Sequence, residues 1–287
     1  MRPVAVVSDT THYLPRALAD SNDIHQVSLY VNWGDRQSRE ADVPDLDAYY
    51  DELRGGRELP TTSQPSMGDF LAVYEPLVSD GRDIVSIHLS AAISGTFEAA
   101  RQAKQRLEED VGEERVSVLD SATSCGGLGM VLLGAAAAAR AGHDREAVVQ
   151  RARRTREQLR IWFVIDTLDF LRRGGRVGAA QAWLGSTLKI KPILTLESQI
   201  TPVERVRTSS RAFERMVEYA ETLRADGADG WVVQHIQAAD RAQRLVERGR
   251  EIFGSDPVWV SEVGPVIGTH VGPGLLGVGG CPLDCFA

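Results

Sequence analysis

An alternation in the first half of the chain limits the folds open to it more than any other feature. Short apolar runs, Val4–Asp9, Ile84–Leu89 and Val116–Asp120, have strand length and no helical period. Between them lie helical patterns: Asp45–Arg54, stopped by Gly55-Gly56; a segment opening at Pro65 with Phe70, Leu71, Tyr74 and Leu77 on one face; and Phe97–Leu107 behind a capping Ser94 or Thr96. Ile24–Trp33 reads as one further extended segment ending at Gly34-Asp35. Strands alternating with helices predict right-handed βαβ units and a parallel sheet covered on both faces.

The second half has another texture. Ile161–Ile165 reads as a strand, followed by the basic, glycine-rich Arg172-Arg173-Gly174-Gly175-Arg176. Lys191–Leu196 and Ile200–Val206 predict a hairpin around Glu197-Ser198-Gln199. Two helix–strand pairs then follow. The fold class is α/β with two domains, 1–158 and 159–287, the second a mixed sheet.

Size and charge bound the function. The chain has 287 residues, 43% hydrophobic and 25% charged, which suits a folded globular protein rather than a disordered one. A net charge of −8 disfavours a general nucleic-acid surface. The most apolar helix pattern, Gly126–Ala139, is shorter than the ~20 residues of a membrane span, so membrane contact is expected to be peripheral at most. The start shows no signal-peptide pattern. Three cysteines, with one C-x3-C pair at Cys281 and Cys285, predict neither a zinc site nor a disulfide framework. The expected location is the cytoplasm.

Two turns draw attention as ligand sites. Pro60-Thr61-Thr62-Ser63-Gln64-Pro65-Ser66 places hydroxyls between prolines. Ser90–Phe97 follows a strand and opens a helix, where unpaired N–H groups and the helix dipole favour an anion, and where Gly95 allows close approach. Each segment taken alone reads first as a helix cap. Seven glycines lie from Gly264 to Gly280, with His270 among them. That density points to a tight loop, and the histidine is either structural or a donor to a carboxylate. Arg145, Arg151, Arg153, Arg154, Arg156 and Arg160 give one helix a basic face, for solvent or for an acidic partner. No P-loop, zincin, nucleophile-elbow or dinucleotide motif is present.

At these residues the chain resembles the DegV family of bacterial fatty-acid-binding proteins, which includes the binding subunits of fatty acid kinase. The resemblance runs through Val7-Ser8-Asp9-Thr10-Thr11, Thr61–Ser66, Ile93–Ala100, Val118–Ser121, Leu171–Val177, Lys191–Leu194, Val206-Arg207-Thr208 and His270–Gly274. It implies a three-layer α/β/α N-terminal domain, a two-layer mixed-sheet C-terminal domain and a long-chain fatty acid between them. Carried over by position, Thr62, Ser94 and Gly95 would grip the carboxylate and His270 would complete the polar end. Arg176 and Arg207 would face a partner or a new phosphate. The implied partner is a separate ATP-binding kinase subunit that makes an acyl phosphate for phospholipid synthesis, with an acyltransferase beyond it. No cofactor, metal or catalytic residue is expected on this chain. Apolar character near the motifs suggests Ile93, Leu128, Phe163, Ile165, Leu168 and Ile193 as the walls of the slot. Family members often have tyrosine where this chain has Phe97, Asn32–Pro44 keeps little of the family pattern, and the tail from Cys281 to Ala287 matches nothing. Two other readings stay open: a lipid-responsive regulatory module, and an autonomous hydrolase or transferase using Ser94 with His270.

Overall fold

The computed structural model describes residues 2–56, 59–184 and 190–286. The first half contains β1 (Val4–Asp9), α1 (Arg16–Ser21), β2 (Ile24–Val27), β3 (Tyr30–Trp33), β4 (Arg36–Arg39), α2 (Leu46–Gly55), β5 (Thr61–Ser63), α3 (Met67–Ser79), β6 (Asp83–His88), α4 (Thr96–Val111), β7 (Val116–Asp120), α5 (Cys125–Arg140) and α6 (Arg145–Gln158). The second contains β8 (Arg160–Val164), α7 (Asp169–Arg173), β9 (Lys191–Glu197), β10 (Gln199–Val206), α8 (Ser209–Ala225), β11 (Gly230–His235), α9 (Ala239–Phe253), β12 (Trp259–Glu262), α10 (Pro265–Val271) and β13 (Leu276–Cys281).

The apolar runs of the first half pair in parallel, in the order β2-β1-β6-β7. Alternate residues of β1 face opposite layers. Ala5 and Val7 pack with Phe70 and Tyr74 of α3 and Ala99 of α4, whereas Val4 and Val6 pack with Leu132 of α5 and Val148 of α6. The sheet is covered on both faces, as the continuous apolar strands require. The second sheet has six strands in the order β10-β9-β8-β13-β11-β12, of which only β11 and β12 run parallel. One face is covered by α8 and α9 through Met216, Tyr219 and Leu245. The other turns toward the first half of the chain.

Ile24–Trp33 is two strands, not one. The chain leaves the parallel sheet after Val27, and β3 joins a small antiparallel sheet, β4-β3-β5. Thr61–Ser63 forms β5 rather than a cap. The cap of α3 is Ser66, whose hydroxyl accepts from Asp69 N–H while the Asp69 carboxylate accepts from Ser66 N–H. Ser94 precedes the true N-cap of α4, which is Gly95 and has no side-chain capping bond.

A buried polar network ties the halves together. Glu40 accepts from the Thr10 hydroxyl, from the Tyr13 hydroxyl at 2.8 Å, and from Val266 N–H at 2.8 Å in the first turn of α10. Burial pushes its carboxyl up to about 7, against the pull of these donors. The tip of the β9–β10 hairpin, where Ser198 has φ 68°, docks on the first half. Ser198 N–H donates to Ala122 C=O at 2.8 Å, and the Ser90 hydroxyl donates to Ser198 C=O at 2.5 Å. Among the described residues no helix is long and apolar enough to cross a membrane.

Candidate functional site

Between the parallel sheet's C-terminal edge and the open face of the six-stranded sheet lies a cavity of about 270 Å3. Most of its wall is apolar: Leu29, Leu89 and Ile93 from the first half meet Leu196, Val266 and Ile267 from the second. Several polar groups gather at one end, and Thr123, Ser124 and Gln234 also line the cavity. Thr62 arrives on β5, Ser94 and Gly95 on the turn before α4, and His270 at the end of α10.

His270 Nε2 and Thr62 Oγ1 lie 2.7 Å apart. Nδ1 is buried without a hydrogen-bond partner among the described residues, and it presses on Gly174, where an added Cβ would overlap it. Nδ1 lacks a partner in either neutral tautomer; in the one with the proton on Nε2, that proton is donated to Thr62. The Thr62 hydroxyl is then free to donate its own proton to the cavity. Desolvation, followed by the nearby Arg176 guanidinium, lowers His270 to about 4, so the ring is neutral at pH 7. Arg176 also lines the cavity, with Nε donating to Ile93 C=O at 3.3 Å and a terminal nitrogen to Gly174 C=O at 2.5 Å.

The Ser94 hydroxyl lies 2.9 Å from the Thr96 hydroxyl and accepts from Thr96 N–H at 3.3 Å. Gln64 lies directly over Gly95; a Cβ at that glycine would overlap its amide. The first turn of a sixteen-residue helix thus meets the cavity under two hydroxyls, an amide and a guanidinium. Such a set stabilises an anion by hydrogen bonds while adding a single fixed cation.

Four of the six suggested wall residues lie elsewhere. Ile93 and Phe163 line the cavity. Leu128 is fully buried in the core under the parallel sheet, and Ile193 points to the opposite face of the six-stranded sheet, against α8. Ile165 and Leu168 pack beside the cavity without lining it. Arg207 is exposed at the far end of β10, next to the Thr208 cap of α8, and is not among the lining residues. The walls that sequence reasoning missed include Leu196 and Ile200, which flank the docked hairpin tip, and Gly277 and Gly279 on β13.

The proposed Ser94–His270 pair is not formed; each side chain bonds to another partner. A Ser–His–Asp chain does exist, as Asp9 Oδ2 to His88 Nδ1 at 3.1 Å and His88 Nε2 to Ser86 at 2.7 Å. All three residues have no exposed surface, and Tyr74 donates to Ser86 at 2.7 Å, so this chain is core structure. Nor do Asp9 and Thr10 present a metal site: Asp9 is consumed by Thr11, His88 and Leu89 N–H. Among the described residues no cluster of three or more metal-binding side chains occurs.

The basic helix is largely engaged within the chain. Arg154 pairs with Asp284 at 2.7 Å, Arg156 donates to the carbonyls of Ser121 and Ala122, and Arg145 reaches Glu114. Arg160 belongs to β8 instead. The unmatched tail is the counterpart of this helix: Arg151 donates to the Asp284 and Cys285 carbonyls, and the Cys285 thiol donates to Gln158 at 2.9 Å. Its last residue, Ala287, lies outside the described residues.

A parallel three-layer unit facing a mixed sheet across a largely apolar cavity, with polar side chains at one end, defines a two-domain α/β protein. A family model described as "Uncharacterised protein, DegV family" matches residues 3–282, and the chain belongs to that family. A DegV domain-containing protein of Streptomyces coelicolor is 42% identical over 281 residues, covering 96% of this chain and 98% of the relative. Protein DegV of Bacillus subtilis is 35% identical over 284 residues, covering 97% and 99%. A crystal structure of the Bacillus subtilis DegV, described as a fatty acid binding protein, superposes with a TM-score of 0.88 at 34% identity, covering 98% of this chain and 99% of that one. A DegV family protein from Thermus thermophilus, described by its fatty acid binding, superposes with a TM-score of 0.87 at 32% identity, covering 98% and 100%.

Proposed function

We propose that this protein binds a long-chain fatty acid in the cavity and presents its carboxylate to a separate ATP-dependent kinase subunit, which converts it to an acyl phosphate. The observation that carries the reading is an apolar cavity ending in hydroxyl and N–H donors. Thr62, with its proton directed by His270, and Ser94 with the Gly95 N–H bind the carboxylate. Arg176 faces the phosphate as it forms. Each buried methylene contributes about 0.8 kcal/mol, so a ~16-carbon chain supplies on the order of 10 kcal/mol before ordering costs. The relatives described as fatty acid binding proteins support the ligand class. The kinase partner, a downstream acyltransferase and a cytoplasmic setting follow from the family resemblance.

The experiment is to denature the purified protein and identify its extracted lipid by mass spectrometry, for the wild type and for Thr62→Ala with Ser94→Ala. The wild type is expected to release a long-chain fatty acid, and the double variant to be folded and nearly empty. Unchanged occupancy per folded molecule would make those hydroxyls mere caps. Addition of a kinase subunit and ATP should consume the bound acid; no turnover with any such subunit removes the presentation role.

A further inference from the structure

Strand β13 reads Leu276-Gly277-Val278-Gly279-Gly280-Cys281, and its two faces differ. Leu276 and Val278 belong to the core under α8 and α9. Gly277 and Gly279, on the other face, line the cavity. In register beside Gly277 stand Phe163 of β8 and Gln234 of β11; beside Gly279 stand Ile161 and Val232. All four of those neighbours also line the cavity. An inner strand of the six-stranded sheet therefore forms a trough between two rows of side chains, floored by backbone alone.

The φ angles do not demand these glycines, although a Cβ at Gly279 would sit tightly against the Arg160 carbonyl. Neither has positive φ, so an L side chain is conformationally allowed at both, and glycine inside a strand weakens it. The nearest atoms to a Cβ at Gly277 would be Phe163 Cβ at 3.3 Å, and to one at Gly279 the Arg160 carbonyl oxygen at 3.0 Å and Ile161 Cβ at 3.1 Å. The closest of these contacts come from the adjacent strand β8, and none comes from α5, whose Gly126 packs on Val232. What lies above the two glycines is the cavity. The next residue on that face, Cys281, is fully buried with its sulfur 3.9 Å from Met130 Sδ, and it closes the trough.

We propose that Gly277 and Gly279 set the longest acyl chain this protein accepts, the chain lying along the trough toward the Cys281–Met130 wall. This rests on the fatty-acid reading above. The head group is held by β5, the turn before α4 and the end of α10, so filling the trough takes away tail volume and leaves the grip in place.

The test is competition of saturated fatty acids, from dodecanoic to octadecanoic, against a fluorescent fatty acid on wild-type, Gly279→Ala and Gly279→Val protein. Gly279→Val is expected to weaken octadecanoic acid by about tenfold or more and dodecanoic acid by no more than about twofold, with Gly279→Ala between it and the wild type. Equal losses at every length, or no loss at any length, would overturn the proposal. Retained dodecanoic acid binding reports that a variant is folded. If Gly279→Val does not fold, the length dependence of Gly279→Ala, which adds one methyl group, decides alone. A wild type that binds none of the acids defeats the fatty-acid reading itself, a result distinct from wild-type binding with length-independent losses.

Discussion

Thr62 and His270 stand 208 positions apart in the chain, yet they share one hydrogen bond of 2.7 Å at the polar end of the cavity. The histidine is neutral and has its second nitrogen pressed on Gly174, so its ring orientation is fixed by packing. In the proposed function it turns the threonine hydroxyl outward, which makes it a positioning residue.

That relationship predicts non-additivity. Thr62→Val and His270→Ala should each weaken fatty-acid binding by roughly tenfold, the scale of one lost hydrogen bond to a charged group. The double variant should lose little more than either single one, because the second change removes a bond already broken. A displacement titration on the four proteins measures the coupling. Independent, multiplying losses would show that the two side chains act separately.

Stability should depend on pH through buried groups, among them His12, His270 and Glu40. His12 and His270 are lowered to about 4, chiefly by burial. Their unfolded forms bind protons from about pH 6.5 downward, while the folded forms do not. Stability therefore rises with pH between about 4 and 6.5. Glu40, raised to about 7 by burial, does the reverse: the folded state keeps a proton that the unfolded chain has released, so its contribution falls as pH rises from about 4.5 to 7. Two histidines outweigh one glutamate, leaving net acid destabilisation below about pH 6.5. Glu40→Gln removes the opposing contribution and should steepen that loss by about one proton. Urea midpoints at pH 5 and 6.5 for both proteins measure this; an unchanged pH difference would show that Glu40 does not titrate in this range.

The Asp9 carboxylate accepts from Thr11 N–H at 3.0 Å, the Thr11 hydroxyl at 2.6 Å and Leu89 N–H at 2.9 Å, besides facing His88. Burial works against its charge, yet His88 and these donors hold it below the usual carboxylate range. Asp9→Ala strands several buried donors at once and should cost about 3 kcal/mol or more. Lipid per folded molecule should stay near the wild-type level, since Asp9 does not line the cavity. Chemical denaturation with lipid analysis separates the two effects.

The strands β1, β6 and β7 were legible because each is an unbroken apolar run with one structural meaning. The small sheet was not. Arg36-Gln37-Ser38-Arg39 is exposed along its whole length, so β4 has no alternation to read, and β5 is three hydroxyl residues that look like a helix cap. The turns at the polar end of the cavity could be found because hydroxyls, glycine and a helix start carry a local chemical signal. The apolar walls could not be found in that way. Ile193 and Phe163 are both apolar and both in strands, and only the packing of the sheet decides which one faces the cavity. One overlooked signal was present: the period-two placement of Gly277 and Gly279, alternating with Leu276 and Val278, marks a strand face stripped of side chains.

The walls of the cavity come from both halves of the chain, and so does its polar end, with Thr62 and Ser94 on one side and His270 and Arg176 on the other. A cut between α6 and β8 would leave each fragment half a pocket, an open greasy surface with no affinity to speak of. Under the proposed function, cargo and architecture are in that sense one object. Whatever loosens the join between the halves would also set the passenger free, without touching a single atom of it.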